Sequence, residues 1–294
     1  MRSGQAAFTA RGINERAGTP WLRLSKRVLF YLFLIAAALL TVLPFLWMLS
    51  SSFKGAEAIR TLPIRWIPER PTLEGYERVF NMQGFSFARA TSNSLLLAVA
   101  CTVVAVLSAT MAAFVFSKLP FRGSGKLFGI YLATMMIPGT VTMVPNYVIL
   151  RSIGLLDTFT GLVLPSLANA FGVFLMRQSM LSVNDAYMES ALLDGASLYR
   201  IFFQIMLPMV LPTLATMTLL SFMGSWNSYL WPLIVLTSTD KQTLQVVLGN
   251  MNGMYKNNEH VLMAGAVLTI LPILLVYLLS QKYVDQGISL GGLK

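Results

Sequence analysis

Long uncharged apolar runs alternate with short polar intervals along this chain. Residues 28–49 carry no charge and are long enough to cross a hydrocarbon core about 30 Å thick at about 1.5 Å of helical rise per residue. Runs of similar character cover residues 91–117, 127–150, 159–176, roughly 208–236 and 261–281. They predict six membrane-spanning helices, an all-α integral membrane fold. A cleaved secretory signal is the rival reading of the first run, helped by Ala56, Glu57 and Ala58 downstream. The run exceeds the apolar core of about 7–15 residues that such a signal has, so it is read as an uncleaved first span.

The intervals set the organisation. Residues 1–27 read as a polar tail, 28–281 as the six-span domain and 282–294 as a second tail. Residues 51–90, punctuated by Pro63, Pro68 and Pro71, suit an extended loop rather than a domain. Pro138, Gly139 and Pro145 interrupt the third run and predict a kink that frees backbone carbonyls, as in a span that lines something. Ala105, Ala109 and Ala113 recur at four-residue spacing in the second run, which lets helices pack closely in lipid. Packing within the chain is the plainer use of that stripe.

The most informative interval is about 182–207. Ser182 with Asp185 three residues on reads as a capping box opening a short helix. That helix should pass through Glu189 and Leu192 and stop at Gly195, where a left-handed residue is cheap. Ser197 can cap a second helix, whose Leu198, Ile201, Phe202 and Ile205 fall on one face. The prediction is a helix-turn-helix hairpin at the membrane surface, with Glu189 and Asp194 turned outward. From the residues alone two uses stand open: docking to a partner, or capping the bundle.

Composition agrees with the pattern. Of 294 residues 55% are apolar and only 12% charged, and the mean hydropathy is +0.66. The net charge of +10 could suit nucleic acid, but its distribution points to membrane orientation. Arg2, Arg11, Arg16, Arg23, Lys26 and Arg27 crowd the first tail, and Lys118, Arg122 and Lys126 one short loop. Both termini, that loop and the hairpin are therefore expected on the cytoplasmic side, with no nucleic-acid partner. The lone Cys101 excludes an internal disulfide and reads as a packing residue, and His260, beside Glu259, reads as a solvated loop residue. No metal site is expected. Gly123, Gly125 and Lys126 have the outline of a phosphate loop, but Pro120 replaces its first glycine and Leu127 its hydroxyl residue.

None of the six runs holds Asp, Glu, Lys, Arg or His, so a proton relay has no obvious members. The scattered acids on the inner side do not suit an intramembrane transferase. The chain is expected to be no enzyme and to draw its energy from elsewhere. A secondary carrier for a neutral solute is the alternative. Trp226, Asn227, Tyr229 and Trp231, near the outer part of the fifth run, combine aromatic faces with an amide, as a sugar path would. Interfacial anchoring by the same aromatic residues is the plainer reading.

Glu189, Ser190 and Ala191, then Asp194 and Gly195, then Ile205, Leu207 and Pro208 resemble the "EAA" loop of ATP-binding-cassette import permeases, with Ser190 in place of the usual second-position alanine. Further stretches resemble the carbohydrate-uptake branch, of the maltose-importer inner-subunit type. They are Trp66 to Pro68 with Pro71 to Tyr76, Asn93 with Ser94, Ile137 to Gly139, Trp226 with Asn227, and Leu230 to Pro232. The resemblance implies a type I importer permease of a bacterial or archaeal inner membrane, working by alternating access. Its implied partners are a second, homologous permease subunit, two ATPase subunits, an external solute-binding protein and membrane lipid. No cofactor would bind this chain; ATP and magnesium would be used by the ATPase. Glu189, Ser190, Ala191, Asp194, Gly195 and Pro208 would serve ATPase coupling. Asn93, Trp226, Asn227 and Tyr229 would flank a substrate path, although this half contributes little to the sugar site in the maltose-type system.

Overall fold

The computed structural model of the chain describes residues 20–82, 84–254 and 258–291, which divide into two compact units at Met48 and Leu49. Helix α1, Pro20–Ser52, opens on a proline, whose missing N–H would have had no partner in the first turn. Within the polar segment two short helices form, α2 (Ala56–Ile59) and α3 (Glu74–Phe80). Helix α4, Phe87–Lys118, follows, capped by Ser86, whose hydroxyl accepts the Arg89 amide at 3.3 Å. Then come α5 (Ser124–Ala133), α6 (Gly139–Ser152), α7 (Phe159–Val163) and α8 (Ala170–Leu181). The hairpin is made of α9 (Ala186–Leu193) and α10 (Leu198–Ile201), which runs through a π-helical turn, Phe202–Met206, into α11 (Leu207–Met209). The remaining helices are α12 (Leu211–Trp226), α13 (Leu230–Val235), α14 (Leu244–Met254) and α15 (Glu259–Gly291).

Three helical stretches are individually long and apolar enough to cross a membrane: Leu24–Ser52, Phe87–Lys118 and Glu259–Lys282. Three more are broken, and counting each broken pair as one gives six. The expected kink at Pro138 is a bend of 100° between the Ser124–Met136 and Gly139–Ser152 segments. The fourth span bends by 41° near Ala168, and the hairpin arm Leu198–Met209 meets α12 at 85°. Proline accounts for the first break, because residues before it are driven out of the helical region. The buried threonines Thr102, Thr110 and Thr269 donate to the carbonyl one turn before, as Thr102 does to Ala98 at 2.6 Å.

Helix α4 is the central strut, packed against α8 and α12. The alanine stripe faces inward: Ala105, Ala109 and Ala113 are all buried. At Gly172 a β-carbon would strike Met217 and lie 3.1 Å from the Ala109 methyl, so the stripe serves a close crossing within this chain.

Several expectations need correction. Helix α1 begins at Pro20, so the last residues of the expected first tail are helical; residues 1–19 lie outside the described residues. Helix α15 continues past Gln281 to Gly291, so most of the second tail is helical. The fifth run ends its helix at Trp226, and α13 is a separate turn. His260 is fully buried in the first turn of α15, where that helix packs on α3, and is not a solvated loop residue. Lys118 is the buried last residue of α4 rather than part of an exposed basic loop.

Candidate functional site: an outward hairpin and an uncharged cavity

The hairpin turn is built by local rules. The Gly195 amide bonds the Leu192 carbonyl at 3.0 Å and the Ala196 amide reaches back to Ala191 at 2.9 Å, with Gly195 at φ +76°. This is a Schellman ending, which needs a left-handed residue at that position. Ser197 accepts the Arg200 amide at 3.4 Å and starts the second helix, as expected. The first helix begins differently. Ser182 donates to the Ser179 carbonyl and Asp185 makes no cap; Asn184 instead accepts the Ala186 amide at 3.0 Å. The predicted capping box is absent because Asp185 is drawn to Lys118.

That attraction fixes the hairpin's root. Lys118 Nζ donates to the Val183 carbonyl at 2.6 Å and to Asp185 Oδ1 at 2.5 Å, the lysine side chain being 3% exposed and the aspartate 73%. Beside it, the Arg177 guanidinium lies 4.2 Å over the Phe128 ring and donates to the Phe116 carbonyl. The stem then shares one core with the bundle. Ala191, Ile201, Phe202 and Met206 pack with Ala113, Phe114, Met176 and Met180. Of the predicted stripe, Ile201 and Phe202 are buried while Leu198 is exposed, because the second helix passes into the π turn after one α turn.

The tip is different in character. Glu189, Ser190, Asp194 and Gly195 are exposed, whereas Ala191 is turned into the core. Neither Glu189 nor Asp194 has an ion-pair partner among the described residues. Asp194 sits at the C-terminal end of α9, where a negative charge opposes the helix dipole and earns no local stabilisation. Around the acids stand Leu193, 89% exposed, and Tyr199, 75% exposed, with Tyr187 and Leu192 also open. Pro208 is exposed but lies beyond the π turn, apart from this tip.

At the other end of α4 a cavity of about 680 Å³ opens among α4, α8, α12 and α13. Its wall includes Ser94, Cys101, Asn169, Ser225, Trp231 and Thr243, and no charged side chain lines it. The four path residues named from sequence do not line it. Trp226 is 1% exposed, stacks on Phe222 and donates Nε1–H to the Thr269 carbonyl at 3.2 Å, so it is a core residue. Asn227 is exposed at the end of α12, and Tyr229 packs against Gly249. Asn93 is spent on the backbone, donating to the Asp240 and Gln242 carbonyls at 2.9 and 3.1 Å. Cys101, read as packing, is half-buried on the cavity wall. Sequence reasoning missed Thr243 altogether, and no motif marks it.

The loops beyond this cavity are tied by Asp157, at φ 56°. Its carboxylate accepts the Thr237 and Ser238 amides at 3.0 Å each, the Ser238 hydroxyl, and Lys241 Nζ at 2.8 Å. The Lys241 ammonium, then the Ser238 donors, hold this acid ionised far below the usual carboxylate range. A second cavity of about 690 Å³, between residues 54 and 74, is lined by charges of both signs, including Lys54, Arg65 and Arg70 against Glu57, Glu69 and Glu74. Burial lowers the Lys54 pKa, and its ammonium donates to the Arg65 carbonyl at 2.7 Å.

Relatives agree with this architecture. The arabinooligosaccharides transport system permease protein AraQ of Halalkalibacterium halodurans is 33% identical over 87% of this chain and 92% of its own length. The lactose transport system permease protein LacG of Rhizobium radiobacter is 31% identical over 90% of this chain and 95% of its own. Among solved structures, a bacterial ABC transporter involved in import of the acidic polysaccharide alginate superposes with a TM-score of 0.77 at 27% identity, over 95% of this chain and 99% of that one. The model of the family "binding-protein-dependent transport system inner membrane component" matches residues 102–290, the stretch that holds the hairpin, most of the cavity wall, the second half of α4 and the four spans after it. This chain belongs to that family of multi-pass inner-membrane transport subunits.

Proposed function

We propose that this chain forms half of the translocation path of an ATP-driven importer of sugars or oligosaccharides. A second permease subunit supplies the other half, two ATPase subunits bind and hydrolyse ATP with magnesium, and an external binding protein delivers the solute. The hairpin and both chain ends lie on the cytoplasmic side, consistent with the basic residues there. The observation that carries the reading is the contrast within the hairpin. Its stem is sealed into the core of the bundle, so a push on it moves α4 and α8, while its tip presents two unpaired acids beside exposed Leu193 and Tyr199. An exposed apolar ridge with unneutralised acids fits a basic, partly apolar cleft on another protein. The sugar assignment draws on the relatives named for arabinooligosaccharides and lactose. The family's dependence on a binding protein disfavours a secondary carrier.

The test is to assay assembly, ATPase stimulation by loaded binding protein, and uptake in vesicles for Gly195→Pro and Glu189→Lys. Proline fixes φ near about −65°, against the observed +76°, and removes the amide bonded to Leu192. Glu189→Lys reverses a charge offered outward. Both variants should insert normally yet lose at least about tenfold in coupled uptake, the equivalent of 1.4 kcal/mol or more. A charge reversal on the ATPase should partly rescue the second alone. Parent uptake with normal assembly in both would remove the coupling role.

A further inference from the structure

We propose that the joint between α3 and the first turn of α15 is an acid-sensitive latch on the outer face, closed while the His260 imidazole is neutral and parted by its protonation, so that acid outside slows transport. The outward placement and the effect on transport rest on the importer reading above. The latch itself is a property of this chain.

His260 is the single histidine of the chain, the one side chain here whose ordinary pKa, about 6.5, falls near neutrality. It is 0% exposed, and both ring nitrogens are enclosed with no hydrogen-bond partner among the described residues. A neutral ring in that place leaves one donor unmade; an imidazolium would leave two and add an unneutralised charge. The charged form has to reach water. The joint gives it no room to do so while closed. A β-carbon at Gly75 of α3 would lie 2.9 Å from the His260 carbonyl oxygen and 3.3 Å from the Ala264 methyl, so the two helices meet backbone to backbone. Around the crossing, Val79 of α3, Val261 and Ala264 of α15 and Met251 of α14 share one buried apolar cluster. Helix α3 has only seven residues, too few to stand as an isolated helix, so it keeps its place by this packing.

The surrounding charges do not relieve the ring. Helix α15 packs against α2, α3, α12 and α14, and the last two carry no ionisable side chain. On α3, Glu74 and Arg78 pair with each other at 2.5 Å, so their fields at the ring oppose. Glu259, next in the chain, is held by Arg60 at 3.2 Å, and the Tyr76 hydroxyl is engaged with Ser52 at 2.8 Å. Glu57 of α2 and Glu77 of α3 are exposed. None of these groups bonds the ring. The closed joint is therefore complete above the ordinary imidazole value and is lost as pH falls below it. With the parted ring titrating near 6.5 and the enclosed ring uncharged, the open fraction rises by roughly tenfold from pH 7.5 to pH 5.5.

The experiment uses the assembled transporter, with no histidine tag on this chain. Amide hydrogen exchange of residues 74–81, corrected for the intrinsic rate at each pH, is followed from pH 7.5 to 5.5 in nanodiscs for the parent, His260→Leu and His260→Gln. Uptake of arabinotriose and lactose, and ATPase stimulation by binding protein loaded with each, are measured in proteoliposomes over the same range. In the parent, protection of α3 should fall about tenfold and stimulation at least about threefold. Both should stay level in the two variants, with α3 better protected in His260→Leu, which strands no polar atom, than in His260→Gln. Protection that does not change with pH in the parent overturns the latch. So does an equal change in the parent and both variants, which assigns the titration to a carboxylate. Opening of α3 with level stimulation overturns the control of transport. Absence of sugar uptake at pH 7.5, with α3 opening as stated, removes the importer reading and leaves the latch standing.

Discussion

The two ends of the bundle handle charge in opposite ways. At the hairpin end the ionic contact lies at the root, between buried Lys118 and exposed Asp185, and the acids at the tip have no ion-pair partner among the described residues. At the other end several charges are paired within the chain itself. Asp157 gathers Thr237, Ser238 and Lys241, Arg60 meets Glu259 at 3.2 Å, and Arg78 meets Glu74 one helical turn away. One end is stitched shut by its own loops. The other is anchored at its base and kept open at its surface, as a docking element has to be.

Removing the stitch should produce the largest loss of stability. In Asp157→Asn the amide nitrogen that replaces one carboxylate oxygen faces either Lys241 Nζ and the Ser238 hydroxyl or the two backbone amides, and charge-assisted bonds are lost in each case. The expected cost is about 2–3 kcal/mol, read as a lower thermal midpoint of the purified complex. The dependence on pH has a definite sign. Asp157 has a folded pKa far below its unfolded value near 3.8. Its contribution is therefore complete above that value and is lost as pH falls through the folded one. The gap between parent and variant should be constant from pH 8 to about pH 5 and narrow only below about pH 4. A gap that widens on acidification would contradict the assignment.

Much of the hairpin was legible because its rules are local. Gly195 and Ser197 act through backbone groups within five residues, so their roles can be read from spacing. Ser182 and Asp185 carried an equally good local signal, and it failed because a lysine 67 residues away captured the aspartate. His260 misled for the same reason: its polar neighbour Glu259 says loop, while packing on α3 says core. Six apolar runs were visible, but apolarity does not distinguish a straight span from one bent by 85° or 100°. The cavity was the least legible part. Trp226 and Trp231 stand five residues apart in one motif, and only the fold shows that the first spends its N–H on Thr269 while the second keeps its own unspent.

Loosening the root should have a smaller effect on stability. Lys118→Leu strands the Val183 carbonyl, but Asp185 is largely exposed and can return to water, so the cost should be about 1–2 kcal/mol. Its consequence for transport should be out of proportion to that cost, because the pair joins the start of the hairpin to the end of α4. ATP hydrolysed per sugar carried should rise several-fold in Lys118→Leu and less in Asp185→Asn, which keeps an oxygen able to accept from Lys118. Equal ratios in both variants and parent would mean that packing alone transmits the motion.

The smallest effect on the fold is expected at the tip, and it most sharply separates the two ends. Glu189 is exposed in the first turn of α9, where its charge gains only a few tenths of a kcal/mol from the helix dipole. Glu189→Gln should therefore shift stability by less than about 0.5 kcal/mol, within the range of ordinary surface changes. Its effect on ATPase docking should be clear all the same, since a carboxylate that gives so little to its own chain still meets a basic partner in the complex. Co-purification across a salt series makes the distinction. Parent docking should weaken as salt rises, because exposed pairs are screened over roughly 8–10 Å, and Glu189→Gln should flatten that dependence. If the variant docks with the parent's salt profile, the acid is not a docking charge, and the apolar ridge of Leu193 and Tyr199 must hold the ATPase without it.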